Sequence, residues 1–255
     1  MSTAIGHAVA NENGTATGGK PGNQNGKELR FQNYYNHAKG WNLIRPKDQI
    51  IALKLAISMT YAVNNENIGY CQSTRSGLQN ALAAIGYKAI AAVSAPCNTD
   101  CSALVRACCW VAGVKVGAFN TSNELKVLLA TGEFVQITSW NEKDLRAGDI
   151  LVTKTKGHTA MVVSTTNAPT PTPPKADPEA FKFLRLLKSG CKGVDVMELK
   201  CLLIKKGCTG ITASNQNFAS QTKAAVMAFQ KANNLTVDGV AGKNTITALG
   251  GVWGG

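Results

Sequence analysis

The chain has 255 residues, with 27 Lys and Arg against 15 Asp and Glu and a formal charge of +12, long enough for one good core and a second small one. The sign points to an acidic partner, yet there is no Lys/Arg block, no basic helix with interleaved aromatics and no zinc-finger spacing, so nucleic acid is not the expected partner. No apolar stretch is long enough to span a bilayer, no secretion signal is expected at Met1–His7, and eight cysteines in a chain of this length are not a disulfide scaffold.

Residues 1–45 are rich in Gly and Asn and are expected to be loop, without the strand and Lys-Ser/Thr ending of a phosphate-binding turn. Pro46 is expected to open a helix continued by Ile50, Leu53, Ile57 and Tyr61. Asn64, Asn65, Asn67 and Gly69 end it, and Tyr70 follows the break. Leu78, Leu82 and Ile85 mark a second helix stopped by Gly86. Asn98-Thr99-Asp100 caps a third, in which Leu104, Ala107, Cys108 and Val111 recur at helical spacing up to Gly113. Thr121-Ser122-Asn123-Glu124 reads as a capping box before Leu125, Leu128 and Leu129. Phe134 to Ile137 reads as a strand. A Gly148-Asp149 turn leads into a strand at Ile150, and Gly157-His158 opens another. Helices first and strands last make an α+β arrangement.

Five of the eight prolines fall between Pro169 and Pro178, so residues 166–178 are expected to be an extended linker between a domain at 1–165 and one at 179–255. In the second domain, Val194, Val196, Leu199, Leu202 and Leu203 form a helix closed by Gly207. Ser220 is expected to cap another, carrying Ala225, Val226 and Phe229, and a short helix from Thr245 to Leu249 follows the Asp238-Gly239 turn. Each part carries a net charge of +6, so the positive charge is spread along the chain.

Cys101 stands where the third helix begins, and there the unpaired N–H groups and the positive dipole end favour a thiolate. A buried apolar cysteine is the competing reading of that residue; Cys108 and Cys109 are read as core. His158 favours the nucleophile. With only His7, His37 and His158 in the chain, a cysteine-activating imidazole has few sources. A zinc peptidase is not expected, since there is no His-Glu-x-x-His and too few histidines for a ligand set; neither a metal nor a cofactor is called for.

Asp100-Cys101-Ser102-Ala103-Leu104-Val105, with Gly148-Asp149-Ile150-Leu151 and then Gly157-His158, resembles the motif set of the NlpC family of papain-like cell-wall peptidases; Ile68-Gly69-Tyr70 resembles its upstream Gly-x-x-Tyr region more loosely. The resemblance implies a papain-like α+β fold, helices before a small antiparallel sheet, with Cys101 as nucleophile and His158 as base. Tyr70, Asp100 and Ser102 would then lie at the site, and backbone N–H groups at the helix start would hold the oxyanion. In the family a further strand after the histidine carries the polar residue that orients it, and here the chain runs into the linker instead. The segment from Gly6-His7-Ala8 to Glu28 resembles the opening of a set of phage lysins, which puts His7, Glu12 and Gln24 forward for that role, Gln24 as a side-chain donor to the oxyanion.

Residues 179–250 resemble the three-helix peptidoglycan-binding module, most specifically through Ala225-Val226, Ala228-Phe229-Gln230 and Leu235 to Gly242. Together the resemblances imply a monomeric bacteriophage endolysin, made in the host cytoplasm and acting on wall peptidoglycan after release. Three readings stay open: cleavage between D-glutamate and the diamino acid, cleavage between muramic acid and L-alanine by an amidase of the CHAP type with the same Cys and His roles, and a wall-binding protein whose cysteine domain is dead.

Overall fold

A computed structural model describes residues 3–164, 182–211 and 217–255. The chain divides into two compact units, Met1–Asn167 and Ala168–Gly255; the expected linker at 166–178 lies outside the described residues, as none of 165–181 is among them.

The first unit is built on a six-stranded sheet. Its strands are β1 (Ala4–Ala8), β2 (Leu29–Asn33), β3 (Trp41–Pro46), β6 (Phe134–Ile137), β7 (Ile150–Thr153) and β8 (Thr159–Ser164), in the order β2-β1-β8-β7-β3-β6 with every neighbour antiparallel. The expectation of loop across residues 1–45 is therefore wrong for three segments, one of which, β1, lies inside the sheet against β8. Strands β7 and β8 are buried along their whole length, so β8 needs a neighbour on each side to satisfy its backbone groups. The N-terminal strand supplies the second.

Alternation splits the side chains between two cores. Ile44, Ile150, Val152, Met161 and Val163 face helices α1 (Gln49–Val63) and α3 (Cys101–Val111), meeting Leu55, Met59, Leu104, Val105 and Cys108. Ile5, Leu43, Leu151, Ala160 and Val162 face the other way, around Trp41. A β-carbon on Gly6 would come within 2.6 Å of Met59 Cγ, so a side chain there would hold β1 off α1.

Pro46 does not open a helix. It ends β3, paired with Phe134, where its missing N–H is tolerated, and α1 is capped instead by Asp48, whose carboxylate accepts from the N–H groups of Ile50 and Ile51. Helix α2 (Gly77–Ala84) follows β4 (Ile68–Tyr70), which runs parallel to β5 (Cys97–Thr99) with Tyr70 opposite Thr99. That short pair brings Tyr70 to the turn entering α3. The Gly148-Asp149 turn is structural: Gly148 has φ +90° and packs against the backbone of Ala52, while Asp149, 1% exposed, takes two hydrogen bonds from Arg45 at 2.8 and 2.7 Å and one from the N–H of Arg146.

The second unit holds α5 (Val194–Lys205), α6 (Ser220–Ala232) and α7 (Lys243–Leu249), with β9 (Lys182–Phe183) parallel to β10 (Val252–Trp253). Ser220 is the first residue of α6 rather than its cap, which is Ala219. Phe183, Leu199, Leu203, Phe218, Val226, Phe229 and Ile246 form the core. Gln230 pins the Asp238-Gly239 turn, donating to Asp238, the Val240 carbonyl and Thr245 and accepting from the Gly239 N–H. Cys71, Cys97, Cys101, Cys108, Cys109, Cys191 and Cys208 are free thiols.

Candidate active site

Helix α3 begins at Cys101 because Asp100 caps it: Asp100 is extended, and its Oδ1 accepts from the Ala103 N–H at 2.7 Å, satisfying one of the open donors of the first turn. Asp100 is held in turn by Arg75, whose Nε lies 3.1 Å from Oδ2. The same guanidinium donates to Ser102 Oγ at 2.7 Å and to the Phe119 carbonyl at 2.8 Å. Asp100 and Ser102 thus flank Cys101 as parts of a frame around it.

Cys101 is 7% exposed, and its thiol accepts from two backbone N–H groups, those of Ser102 and Thr159. Thr159 is the first residue of β8 and follows His158, so the thiol lies on the backbone one residue on from His158 at the mouth of that strand. His158 is in turn paired with His7, Nε2 to Nδ1, at 2.8 Å. His7 faces the same side of the sheet as Ile5, and the antiparallel pairing of β1 with β8 sets the two imidazoles side by side. The neighbour of β8 on this side is β1, supplied from the other end of the chain.

Of the remaining expected residues, Tyr70 is buried close enough to feel Cys101 and Asp100; burial, with those two groups, pushes its phenol up to about 12, and its oxygen accepts from Gln72. Glu12 and Gln24 stand apart from the histidine pair. Glu12 accepts from the Lys20 N–H at 3.0 Å, and Gln24 donates to the carbonyls of Pro21 and Gly22; both serve the loop between β1 and β2.

The resting electrostatics run against one expectation. The helix start was to ease thiolate formation, but burial pushes the Cys101 thiol up to about 12, with Asp100 and Glu124 adding to the rise against the two N–H groups. Burial also lowers His158 to about 4, helped by His37 and Arg30, and lowers His7 to about 3, helped by His158 and Arg30. Desolvation disfavours every charged form here, so near neutral pH the site holds a thiol and two neutral imidazoles. A neutral imidazole such as that of His158 can accept a proton.

Glu124 was read as the end of a capping box, and the structure corrects this. Asn123 makes no side-chain cap to helix α4 (Glu124–Ala130). Glu124 instead points inward, fully buried, with Oε1 accepting from Thr159 Oγ1 at 2.7 Å, and burial raises its carboxyl to about 8. Arg75 and Trp41 are further neighbours that sequence reasoning missed. Trp41, buried on the outer face, lies 6.3 Å from His158 and 5.0 Å from His37, ring centre to ring centre, so all three histidines of the chain converge here. Their scarcity was the one signal that could have found His37. Among the described residues no group of His, Cys, Asp and Glu could hold a metal ion, and no helix is long and apolar enough to cross a membrane.

Comparison with known proteins gives two matches. The family model of an endolysin-like domain matches residues 5–169, and that of a peptidoglycan binding domain matches residues 192–249. No curated protein and no solved structure matches the chain.

Proposed function

The chain belongs to the endolysin-like domain family and carries a peptidoglycan-binding domain, and from that premise we propose that it hydrolyses an amide bond of the peptidoglycan peptide stem as a papain-like cysteine peptidase of the NlpC type. The observation that carries the reading is the row formed by the Cys101 thiol on the Thr159 N–H, the adjacent His158, and His7 bonded to it.

Cys101 Sγ attacks the scissile carbonyl while its proton passes to His158. The tetrahedral oxyanion is received by backbone N–H groups at the start of α3, where the helix dipole also favours negative charge. His158 then gives its proton to the departing amine, leaving a thioester on Cys101. Water, deprotonated by His158, hydrolyses the thioester and restores the thiol, so the net change is one amide plus one water to a carboxylic acid and an amine. His7 keeps the imidazole turned toward the thiol: with Nε2–H of His158 donated to Nδ1 of His7, Nδ1 of His158 retains its lone pair for the thiol proton. Tyr70 packs beside the thiol.

The bond proposed is that between D-glutamate and the diamino acid. Residues 192–249 hold the enzyme on the wall, and the setting that fits is a phage lysin stored in the host cytoplasm and released to the wall. The test is digestion of purified Gram-positive peptidoglycan by the wild type and Cys101→Ser, with mass spectrometry of the fragments and assay of new amino groups. New diamino-acid amines from the wild type alone are expected. Free L-alanine termini would move the enzyme to the amidases with the same nucleophile, and equal cleavage by Cys101→Ser would remove the cysteine from the chemistry.

A further inference from the structure

Around the ends of β3 and β6 lies a cleft of about 630 Å³ that also takes in the segments around residues 34–40 and 138–142; strand alternation sets Trp41 and Ile137 on the outer side of the sheet there and Asn42 and Gln136 on the side of Ile44 and Val152, so the cleft runs around the end of the sheet. Its walls combine three aromatic rings, Tyr34, Trp41 and Trp140, with three neutral amides, Asn36, Asn42 and Gln136. Trp41 is a lining residue only 5% exposed, packed against Tyr35 and His37, with its indole N–H fixed on the Tyr35 carbonyl at 2.9 Å. Tyr34 and Trp140 are only partly buried and meet edge to face with centres 6.3 Å apart. The Gln136 amide donates to Asn42 Oδ1 at 3.3 Å. That leaves the Asn42 amide N–H groups and the Gln136 carbonyl oxygen without a partner among the described residues.

In a chain of charge +12, this cleft is close to neutral. Lys154 and Glu142 are its only fully charged lining residues, and Glu142 already accepts from the Thr3 N–H. An anionic polymer or a stem carboxylate would find little attraction there. A neutral ligand with an apolar face and paired donors and acceptors fits: the axial C–H face of a pyranose packs on the electron-rich face of an aromatic ring, and primary amides offer both donor and acceptor to acetamido and hydroxyl groups. The volume lies within the range of small-ligand sites and exceeds what one sugar ring fills. One lining residue also reaches toward the proposed site, since the Trp41 ring lies 6.3 Å from that of His158, centre to centre.

We propose that this cleft is a glycan subsite of the catalytic unit, seating N-acetylhexosamine units of the wall's glycan strand beside the His158 end of the site. The proposal rests on the peptidoglycan reading above and adds where the sugar goes.

The test uses the full chain. Cys101→Ala protein is titrated with tetra-N-acetylchitotetraose, and with its fully deacetylated counterpart, by calorimetry. The same titrations are run with Trp140→Ala and, because that change can disturb the fold, with Asn42→Ala/Gln136→Ala. In the otherwise wild-type enzyme, the groove variants are assayed on intact peptidoglycan and on free stem peptide. The acetylated tetramer is expected to bind and the deacetylated one to bind far more weakly, with both groove variants weakening the former about tenfold, equivalent to about 1.4 kcal/mol. On intact wall, KM is expected to rise with kcat little changed, and cleavage of free stem peptide to stay at the wild-type level. Binding of the acetylated tetramer unaltered in both groove variants, or equal binding of the deacetylated tetramer, would overturn the subsite. If the wild type cuts no wall but the tetramer still binds through Trp140, the hydrolase reading falls and the glycan site stands; if walls are cut equally by wild type and both groove variants, the glycan site falls and the hydrolase reading stands.

Discussion

Nδ1 of His7 lies 2.8 Å from Nε2 of His158, joining residues 151 positions apart in the chain. The bond exists because β1 lies between β2 and β8 in the sheet, so the partner of the His158 ring comes from far upstream in the chain. Replacing His7 by Ala leaves β1 in place, since Ile5 and Ala8 hold it in the two cores, but frees the His158 ring. The expected result is a fall in kcat of about 10²-fold with KM nearly unchanged, within the range for a general base deprived of its setting. His7→Asn or His7→Gln should recover part of it. A rise in KM alone would make His7 a substrate contact instead.

Because burial holds His158 at about 4, its neutral, proton-accepting form persists well below the ordinary histidine range. The acid limb of kcat/KM on a soluble stem peptide is therefore expected near pH 4 to 5, where a solvated imidazole would give a limb near 6.5. A midpoint at 6 or above would show that His158 is better solvated, or better paired when charged, than its resting surroundings suggest.

The positions of the proposed nucleophile and base were legible because their signals are local: cap residues before a helical period put Cys101 at the start of α3, and a glycine before an apolar run puts His158 at the mouth of β8. What escaped was decided at a distance. Strand β1, with Gly6 and Ala8 among its five residues, has no marked period of its own and is a strand because β8 needs a second neighbour. Pro46 suits the first turn of a helix and the last residue of a strand equally, and pairing with Phe134 decided between them. Glu124 follows three cap-type residues, yet it serves Thr159, 35 positions on. His7 was among the residues put forward, but only folding could separate it from Glu12 and Gln24.

The Gly-Asp signature makes a prediction about stability rather than catalysis. Asp149 is 1% exposed and Arg45 14% exposed at the side chain. Arg45→Ala leaves a buried carboxylate without its partner and should cost about 3–5 kcal/mol, whereas in Asp149→Ala the guanidinium can turn toward water and the loss should be smaller. Urea unfolding of the two variants checks the order. Equal losses would mean that the turn around Gly148, rather than the burial of the carboxylate, sets the cost.

Glu124 gives the pH dependence of stability a particular shape. Its carboxyl ionises near 4.5 when solvated and near 8 in the fold, chiefly through burial. Below about pH 4.5 both states are protonated and the group has no differential effect. Between 4.5 and 8 the unfolded chain alone releases the proton, so the stability associated with this group is lost as pH rises, by up to about 1.4 kcal/mol per pH unit; above 8 both states are ionised and the slope ends. Glu124→Gln keeps an oxygen to accept from Thr159 Oγ1 and cannot ionise. The stability of the variant relative to the wild type, from urea midpoints at pH 5, 6, 7 and 8, is therefore expected to rise steadily across that window while catalysis on a soluble stem peptide changes little. Parallel curves would place the ionisation of Glu124 in the ordinary carboxylate range. Glu124→Ala, by contrast, removes the anchor of Thr159, and the N–H that this residue presents to Cys101 should lose its fixed position, lowering kcat at every pH.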